Sequence, residues 1–217
     1  MRPSVAGTPI EATDEASLRS RSAYAALLTN LGKTDEANAL YKQVLPLQES
    51  LLGPDSISVM MTRRGAASVA RSLGHLDEAE RLMRSIVDRQ DRVLGPDHPE
   101  SLGNLHDLSI LYLNTGRPNE AEETLTRVVA GAVRSLGPEH RNTLKARYLL
   151  AQTIVMKGDV AGARTLATQV LAQQRQSLGE RNVDVADSLQ LLGAIEMAAG
   201  RHEEAERRFA ESVAIFT

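Results

Sequence analysis

The nine residues LGPDHPESL, at positions 94–102, decide the fold because variants of the same phrase recur at a fixed interval. The phrase returns as LGPD at 52–55, as LGPEH at 136–140 and, more altered, as LGE at 178–180. The Leu-Gly pairs therefore begin at 52, 94, 136 and 178, which is a spacing of 42 residues each time. A fixed period of this length indicates an array of similar units that stack on one another.

Three columns of small residues keep the same period over five copies. One is a column of glycines at Gly32, Gly74, Gly116, Gly158 and Gly200. Five residues after each glycine stands an alanine: Ala37, Ala79, Ala121, Ala163 and Ala205. Seven residues before each glycine the residue is again small: Ala25, Ala67, Ser109, Ala151 and Gly193. This regularity predicts five copies of one structural unit.

Each unit divides into two predicted helices. Pro99 suits the first turn of a helix and His98 the cap before it, a position that Ser56, His140 and Asn182 occupy in other copies. This helix A runs over about 16 residues, Pro99 to Asn114, and stops at Gly116, a left-handed C-cap. Helix B opens on acidic pairs such as Asp77-Glu78, which suit a helix N-terminus, and ends near the next Leu-Gly-Pro.

The small columns explain how the two helices of a unit pack. Helices A and B approach closely only where small side chains face each other, and larger residues such as Leu108 and Leu125 fill the remaining space. One helical hairpin cannot cover its own apolar face, so neighbouring hairpins must stack. The sequence therefore predicts an all-α solenoid of five two-helix repeats, at about 11–51, 52–93, 94–135, 136–177 and 178–217. We expect residues 11–217 to form one domain and residues 1–10 to be a flexible leader.

The composition excludes several classes of protein and of partner. The net charge is -3, so a general attraction to nucleic acid or anionic lipid is not expected, and the columns that could read RNA bases vary between copies. The absence of cysteine excludes disulfides, thiolate metal sites and a cysteine nucleophile. No stretch approaches the roughly 20 apolar residues of a membrane span, and residues 1–10 lack the apolar segment of a signal peptide. We therefore expect a cytoplasmic location and no membrane partner.

These columns resemble the tetratricopeptide repeat, in which a small residue, a glycine and an alanine mark the two-helix unit. The period and the linking phrase are similar to the kinesin light chain variety, which also occurs in bacterial multidomain proteins. The resemblance implies a right-handed superhelix whose concave groove, lined by helix A, accepts a peptide or a partner's surface. Kinesin light chains carry paired asparagines in that groove. Here the corresponding pairs are Ser22-Ala23, Arg64-Gly65, His106-Asp107, Tyr148-Leu149 and Gln190-Leu191, so the resemblance carries the architecture and not the ligand.

No catalytic motif is found. Of the five histidines, His98 and His140 fall at helix caps and His75 and His202 near the turns between helices, so a shared metal site is not expected. We therefore expect no enzyme activity, no cofactor and no metal site. The carboxylates are expected at helix starts and on exposed faces, where they pair with nearby cations.

Helix periodicity aims a set of polar side chains at the groove. The predicted ligand-binding residues are Arg64, Arg71, His106, Asn114, Lys145, Tyr148, Gln152 and Gln190. The cations favour an acidic segment, because arginine binds carboxylates in bidentate fashion, and Ile110, Leu113 and Val155 offer an apolar anchor. Tyr148 is the only aromatic residue off a predicted packing column, and with His106 it could stack on a ligand. The alternative is that the cations form a solvated face, paired with acids of the next helix.

Two functions compete on this evidence. The first is an adaptor that binds a peptide or protein segment in its groove. The second is a regulatory or sensing arm of a larger multidomain signalling enzyme, such as a kinase or a nucleotide-switch ATPase. The sequence stops without a polar capping helix, and Val213 and Phe216 belong to the predicted stacking face. We therefore also expect that this C-terminal end could pair with a second copy as a homodimer.

Overall fold

The computed structural model describes residues 14–216, and these residues form ten α-helices and no strand. The helices are α1 (Glu15–Asn30), α2 (Thr34–Leu52), α3 (Ile57–Ser72), α4 (Leu76–Val93), α5 (Pro99–Asn114), α6 (Pro118–Leu136), α7 (Arg141–Met156), α8 (Val160–Leu178), α9 (Val183–Ala198) and α10 (His202–Phe216). Odd-numbered helices are the predicted helices A and even-numbered ones the helices B. The predicted flexible leader, at residues 1–10, lies outside the described residues.

The chain divides into two compact units, unit 1 up to Val93 and unit 2 from Leu94. In unit 1 the consecutive helices α1 to α4 pack against one another, and α1 also contacts α3. In unit 2 the consecutive helices α5 to α10 pack in the same manner, and α7 also contacts α9. The prediction of an all-α solenoid of five two-helix repeats is confirmed. That residues 11–217 make one domain stays a prediction.

The ends of α5 show how the sequence fixes helix boundaries. Its bounds, Pro99–Asn114, agree with the prediction to the residue. At the start, the amide of Glu100 donates to His98 Nδ1 at 3.2 Å, which satisfies one of the orphan amides of the first turn. At the end, the Arg117 amide donates to the Tyr112 carbonyl at 2.9 Å, the long bond of a Schellman motif. This motif needs a left-handed residue, and Gly116 supplies it with a φ of 70°.

The small columns lie in the core, as predicted. Ala37, Ala79, Ala121 and Ala163 are fully buried, and so are Ala25, Ser109 and Ala151 in the facing helices. A close approach of this kind lies between α9 and α10, where a Cβ atom on Gly193 would lie 2.8 Å from two ring carbons of Phe209. A real Cβ is not found at that distance, so the glycine allows the two helices to pack around the Phe209 ring.

A column of buried glutamines was not predicted. Gln48, Gln90 and Gln174 follow the 42-residue period and are almost completely buried on helices B. Gln48 Nε2 donates to Ser22 Oγ on α1 at 3.0 Å. Gln174 Oε1 accepts from Ser188 Oγ on α9 at 2.6 Å. These polar groups fix how neighbouring helices are placed, because a buried amide without a partner is costly. At the same position α6 carries Ala132 and α10 carries Phe216.

The structure also bears on membrane association. Among residues 14–216, no helix combines the length and the apolar character needed to cross a bilayer.

Candidate functional site

The eight predicted ligand-binding residues all lie on helices A. Unit 1 contributes the two arginines of α3, and unit 2 contributes residues of α5, α7 and α9. By helix they are Arg64 and Arg71 in α3, His106 and Asn114 in α5, Lys145, Tyr148 and Gln152 in α7, and Gln190 in α9. We call the α3 set the unit 1 face and the α5, α7 and α9 set the unit 2 face.

On the unit 1 face, two neighbouring arginines behave differently. Arg63 is buried, and its guanidinium donates to Glu49 Oε1 at 2.7 and 2.9 Å and to the Pro54 carbonyl at 3.2 Å. Arg64 and Arg71 are exposed, and within the described residues neither side chain has a hydrogen-bond or ion-pair partner. Arg63 therefore holds α3 against the end of α2, whereas Arg64 and Arg71 are available to a ligand.

On the unit 2 face, the cations are compensated by acids of α9. Arg141 Nε donates to Asp184 Oδ2 at 2.6 Å, and Lys145 Nζ lies 4.0 Å from Asp184 Oδ1. The Arg141 hydrogen bond, together with the charges of Lys145 and Arg141, outweighs burial and lowers the pKa of Asp184. Asp187 lies in the same cluster, and burial together with the Asp184 charge raises the pKa of its carboxyl. The expected alternative of paired cations thus describes Arg141 and Lys145 of α7, while Arg64 and Arg71 of α3 have no acidic partner among the described residues.

Tyr148 does not stand free of the core. It is half-buried and packs against the apolar cluster that contains Ala151 and Leu192. Burial is the main cause that raises the pKa of its hydroxyl, with a further contribution from the Asp187 charge. The prediction that Tyr148 alone among the aromatics avoids packing is wrong, because its side chain packs on this apolar cluster.

The other residues of the unit 2 face are polar and partly engaged. His106 Nδ1 lies 3.8 Å from Asp107 Oδ1, which would form an ion pair only with a protonated imidazole. Gln190 Nε2 donates to Ser212 Oγ on α10 at 3.3 Å. Asn114 is exposed and Gln152 half-buried. The expected apolar anchor, Ile110, Leu113 and Val155, is half-buried throughout.

Two carboxylates are buried, and the one that lies away from a helix start, Glu196, contradicts the expectation that acids lie at helix starts and on exposed faces. Glu196 is 2% exposed in α9, and it accepts from Arg164 Nε at 2.8 Å and from Arg201 Nε. Burial opposes ionisation of this carboxyl, but the hydrogen bonds from the two arginines outweigh it and lower its pKa. Asp184 is the second case. The sequence contained one sign of the buried Glu196, because this residue interrupts a column that otherwise holds Leu28, Ala70, Tyr112 and Ile154.

Neither face shows the arrangement of an ion-binding centre. Within residues 14–216, no group of three or more histidines, aspartates or glutamates is placed to hold a metal ion. The histidines His98 and His140 serve instead as helix caps.

Comparison with known proteins agrees with this architecture. A family model described as tetratricopeptide repeat matches residues 16–92, 64–132 and 143–217. No curated protein matches the chain at the level of sequence.

Several solved structures share the fold. The kinesin light chain nearly identical TPR-like repeats of Podosopora anserina superpose with a TM-score of 0.79 at 29% identity, over 95% of this chain and 97% of that one. BtubC (BKLC) from P. vanneervenii gives a TM-score of 0.74 at 17% identity, over 93% of this chain and 82% of that one. YrrB, described as a TPR protein with an unusual peptide-binding site, gives 0.60 at 17% identity, over 94% and 87%.

The residue columns, the five helix pairs and these matches agree with one another. The resemblance inferred from the sequence is confirmed, including its kinesin light chain-like variety. The chain belongs to the tetratricopeptide repeat family.

Proposed function

We propose that this chain is a binding scaffold that holds a peptide or protein segment on the exposed faces of its helices A. Tetratricopeptide repeat proteins are in general protein-interaction scaffolds without catalytic activity, and we infer the same for this chain. The observation that carries the proposal is the pair of exposed arginines on the unit 1 face, Arg64 and Arg71, which have no partner within residues 14–216.

The geometry of this pair favours an acidic, extended ligand. Arg64 and Arg71 are seven residues apart in α3, so they stand on one side of the helix about 10 Å apart along its axis. An extended polyproline II segment advances about 3.1 Å per residue and makes one turn every three residues. Carboxylates three residues apart in such a ligand therefore point to the same side about 9 Å apart, which matches the spacing of the two arginines. Each guanidinium can bind one carboxylate in bidentate fashion. Met61 is exposed one turn before Arg64 and offers an apolar contact to the same segment.

The binding surface of unit 2 is expected to contribute polar contacts more than charge. Lys145 already has Asp184 as an acidic neighbour, so a ligand carboxylate would have to compete for it. The predicted contacts there are the exposed amides of Asn114 and Gln190. A charge-reversal test at Lys145 would disturb the Asp184 cluster itself, so the arginines of α3 are the cleaner test.

The test is a binding series with fluorescent peptides. One set carries Glu or Asp three residues apart with a leucine beside them, and the control set has Lys in place of each acid. We expect the acidic set to bind the wild type, to weaken as salt is raised, and to lose at least tenfold in affinity with Arg64→Glu/Arg71→Glu. The matched control is Arg81→Glu, an exposed arginine of α4 outside the helix A face. Equal loss with the control, or no preference for acidic peptides, contradicts the proposal.

Self-association is a second candidate, favoured by one observation. Val213 and Phe216 on α10 are exposed apolar side chains. We infer that α10 can pair with a second copy of the chain. The regulatory arm of a signalling enzyme and the cytoplasmic location stay predictions of the sequence.

A further inference from the structure

The exposed face of α10 occupies a position that other repeats bury. Val213 is 63% exposed and Phe216 is 60% exposed. One period earlier, on α8, the same positions hold Leu171 and Gln174, which are 3% and 2% exposed. On α4 they hold Val87 and Gln90, also buried. Val213 and Phe216 are therefore stacking positions without a covering helix among the described residues, and we call them the tail face.

At the other end of the described chain, α1 also exposes positions that later repeats bury. Leu27 is 50% exposed, but the residues one to four periods later are at most 2% exposed: Val69, Leu111, Thr153 and Ile195. Ser20 is also exposed, whereas its equivalents Thr62 and Ser188 are buried. We call Ser20 and Leu27 the head face. It is exposed in α1 because the first repeat has no preceding helix B among the described residues.

Inside the chain these two columns meet in one joint. In unit 2, Leu171 of α8 belongs to the same buried cluster as Ile195 of α9. In unit 1, Leu45 of α2 packs on the cluster that contains Val69 of α3. Val213 of the tail face belongs to the same repeat column as Leu45 and Leu171. Leu27 of the head face belongs to the same repeat column as Val69 and Ile195. The two exposed faces are thus the separate halves of a joint that the chain already builds between its own repeats.

The chemistry of the two faces allows them to meet. Neither contains a charged residue, so bringing them together buries no uncompensated charge. At the glutamine column the tail face has the apolar Phe216, so no side-chain amide is left without a partner there. Beside Phe209 lies a depression of about 410 Å³ that gives room for a side chain of the partner. Its surface is mostly apolar, from Met197, Ala205 and Ala210, and the exposed side chains of His202 and Glu206 also line it.

We propose that the chain associates head to tail, with the tail face of one copy packed on the head face of the next in the register of the internal joint. Because the two faces differ, the contact is heterologous and each added copy offers a new tail. This rests on the self-association considered above and names the surface that α10 meets. It predicts open chains of increasing length and not a closed dimer.

The test is a mixing experiment with two variants, followed by sedimentation velocity over a concentration series. Ser20→Glu/Leu27→Glu blocks the head face, and Val213→Glu/Phe216→Glu blocks the tail face. All four residues are exposed, so the fold is kept, and circular dichroism checks it. The matched control is Ile57→Glu, an equally exposed apolar residue at the start of α3.

The wild type and the Ile57→Glu control should grow in mass with concentration and show no plateau at a dimer. Each blocked variant alone should stay at the 23.5 kDa of the monomer. An equimolar mixture of the two should give a dimer and nothing larger, because one intact head and one intact tail remain.

Two results would overturn the inference. If the head variant associates as the wild type does while the tail variant is monomeric, the tail pairs with itself and only the second candidate survives. If the wild type is monomeric at every concentration, both the inference and that candidate are wrong, and the peptide-binding proposal is unaffected.

Discussion

The buried carboxylate of Glu196 allows the sharpest test of the packing. It lies in a column that other repeats fill with Leu28, Ala70, Tyr112 and Ile154, and it is held by Arg164 and Arg201. The side chain of Glu196 is 3% exposed, whereas those of Arg164 and Arg201 are 50% and 43% exposed. The glutamate has therefore lost its water, and the arginines have kept much of theirs.

This asymmetry sets the size of the effect. Arg164→Ala/Arg201→Ala leaves a buried charge without partners, which typically lowers the free energy of unfolding by about 3 to 5 kcal/mol. We expect the lower end, about 3 kcal/mol, because the space vacated by two half-exposed arginines admits water. Adding Glu196→Ile, the residue that repeat four has in this column, removes the stranded charge. The triple variant should therefore recover at least about 2 kcal/mol of that loss.

Urea unfolding at neutral pH, followed by circular dichroism, measures these differences. Repeat arrays can unfold in more than one step, so hydrogen exchange of the α8 and α9 amides provides a local measure. The control is Arg207→Ala, which removes an exposed i,i+3 pair with Glu204 and should change stability by less than about 1 kcal/mol. A triple variant no more stable than the double variant would refute the reasoning, since the loss would then come from arginine packing and not from the buried charge.

Three further predictions concern acidity and glycine positions. The pKa values of Asp184 and Glu196 are lower in the folded chain than in the unfolded chain, where they are about 4. The two carboxylates therefore stabilise the fold fully above the unfolded pKa values, and this stabilisation is lost as the pH falls through the folded ones. Asp184→Asn/Glu196→Gln should therefore flatten the acid limb of a stability-against-pH curve. Gly116 has a φ of 70°, so Gly116→Ala should lower the free energy of unfolding by about 1 kcal/mol, measured by urea unfolding. Gly65→Ala would place a Cβ 2.2 Å from the Tyr41 hydroxyl and should cost about 1 to 3 kcal/mol, measured in the same way.

The fold could be predicted from sequence because its determinants are local and repeated. Pro99 and Gly116 mark where a helix begins and ends through backbone conformation alone, and the 42-residue period shows the same signals several times over. The burial of Ala37 and Ala163 follows from the same columns. Each of these features depends on a few residues close together in the chain, so the sequence pattern is sufficient to predict it.

The candidate surfaces could be predicted only in part, because charge depends on partners far along the chain. Arg63 and Arg64 are neighbours of the same residue type, but Arg63 pairs with Glu49 and Arg64 has no partner in the part of the chain that the structure describes. For Lys145 the sequence leaves open whether it binds a ligand or pairs with an acid of the next helix, because its neighbour Asp184 stands 39 residues later. Glu196 follows the same rule, since its partner Arg164 is 32 residues away. Periodicity gives the direction of a side chain and not the identity of what it meets.

The buried glutamines have a consequence for how the chain avoids misfolding. Repeats that share their apolar columns could dock in the wrong order, because the apolar surfaces of their helices resemble one another. A hairpin that brings Ala132 to the place of Gln174 would leave Ser188 without its acceptor in a dry interior, at a cost of about 1 to 3 kcal/mol. The column holds glutamine in three repeats and Ala132 and Phe216 in the other two, so an exchange between these two kinds of hairpin makes the wrong pairing less stable than the correct one.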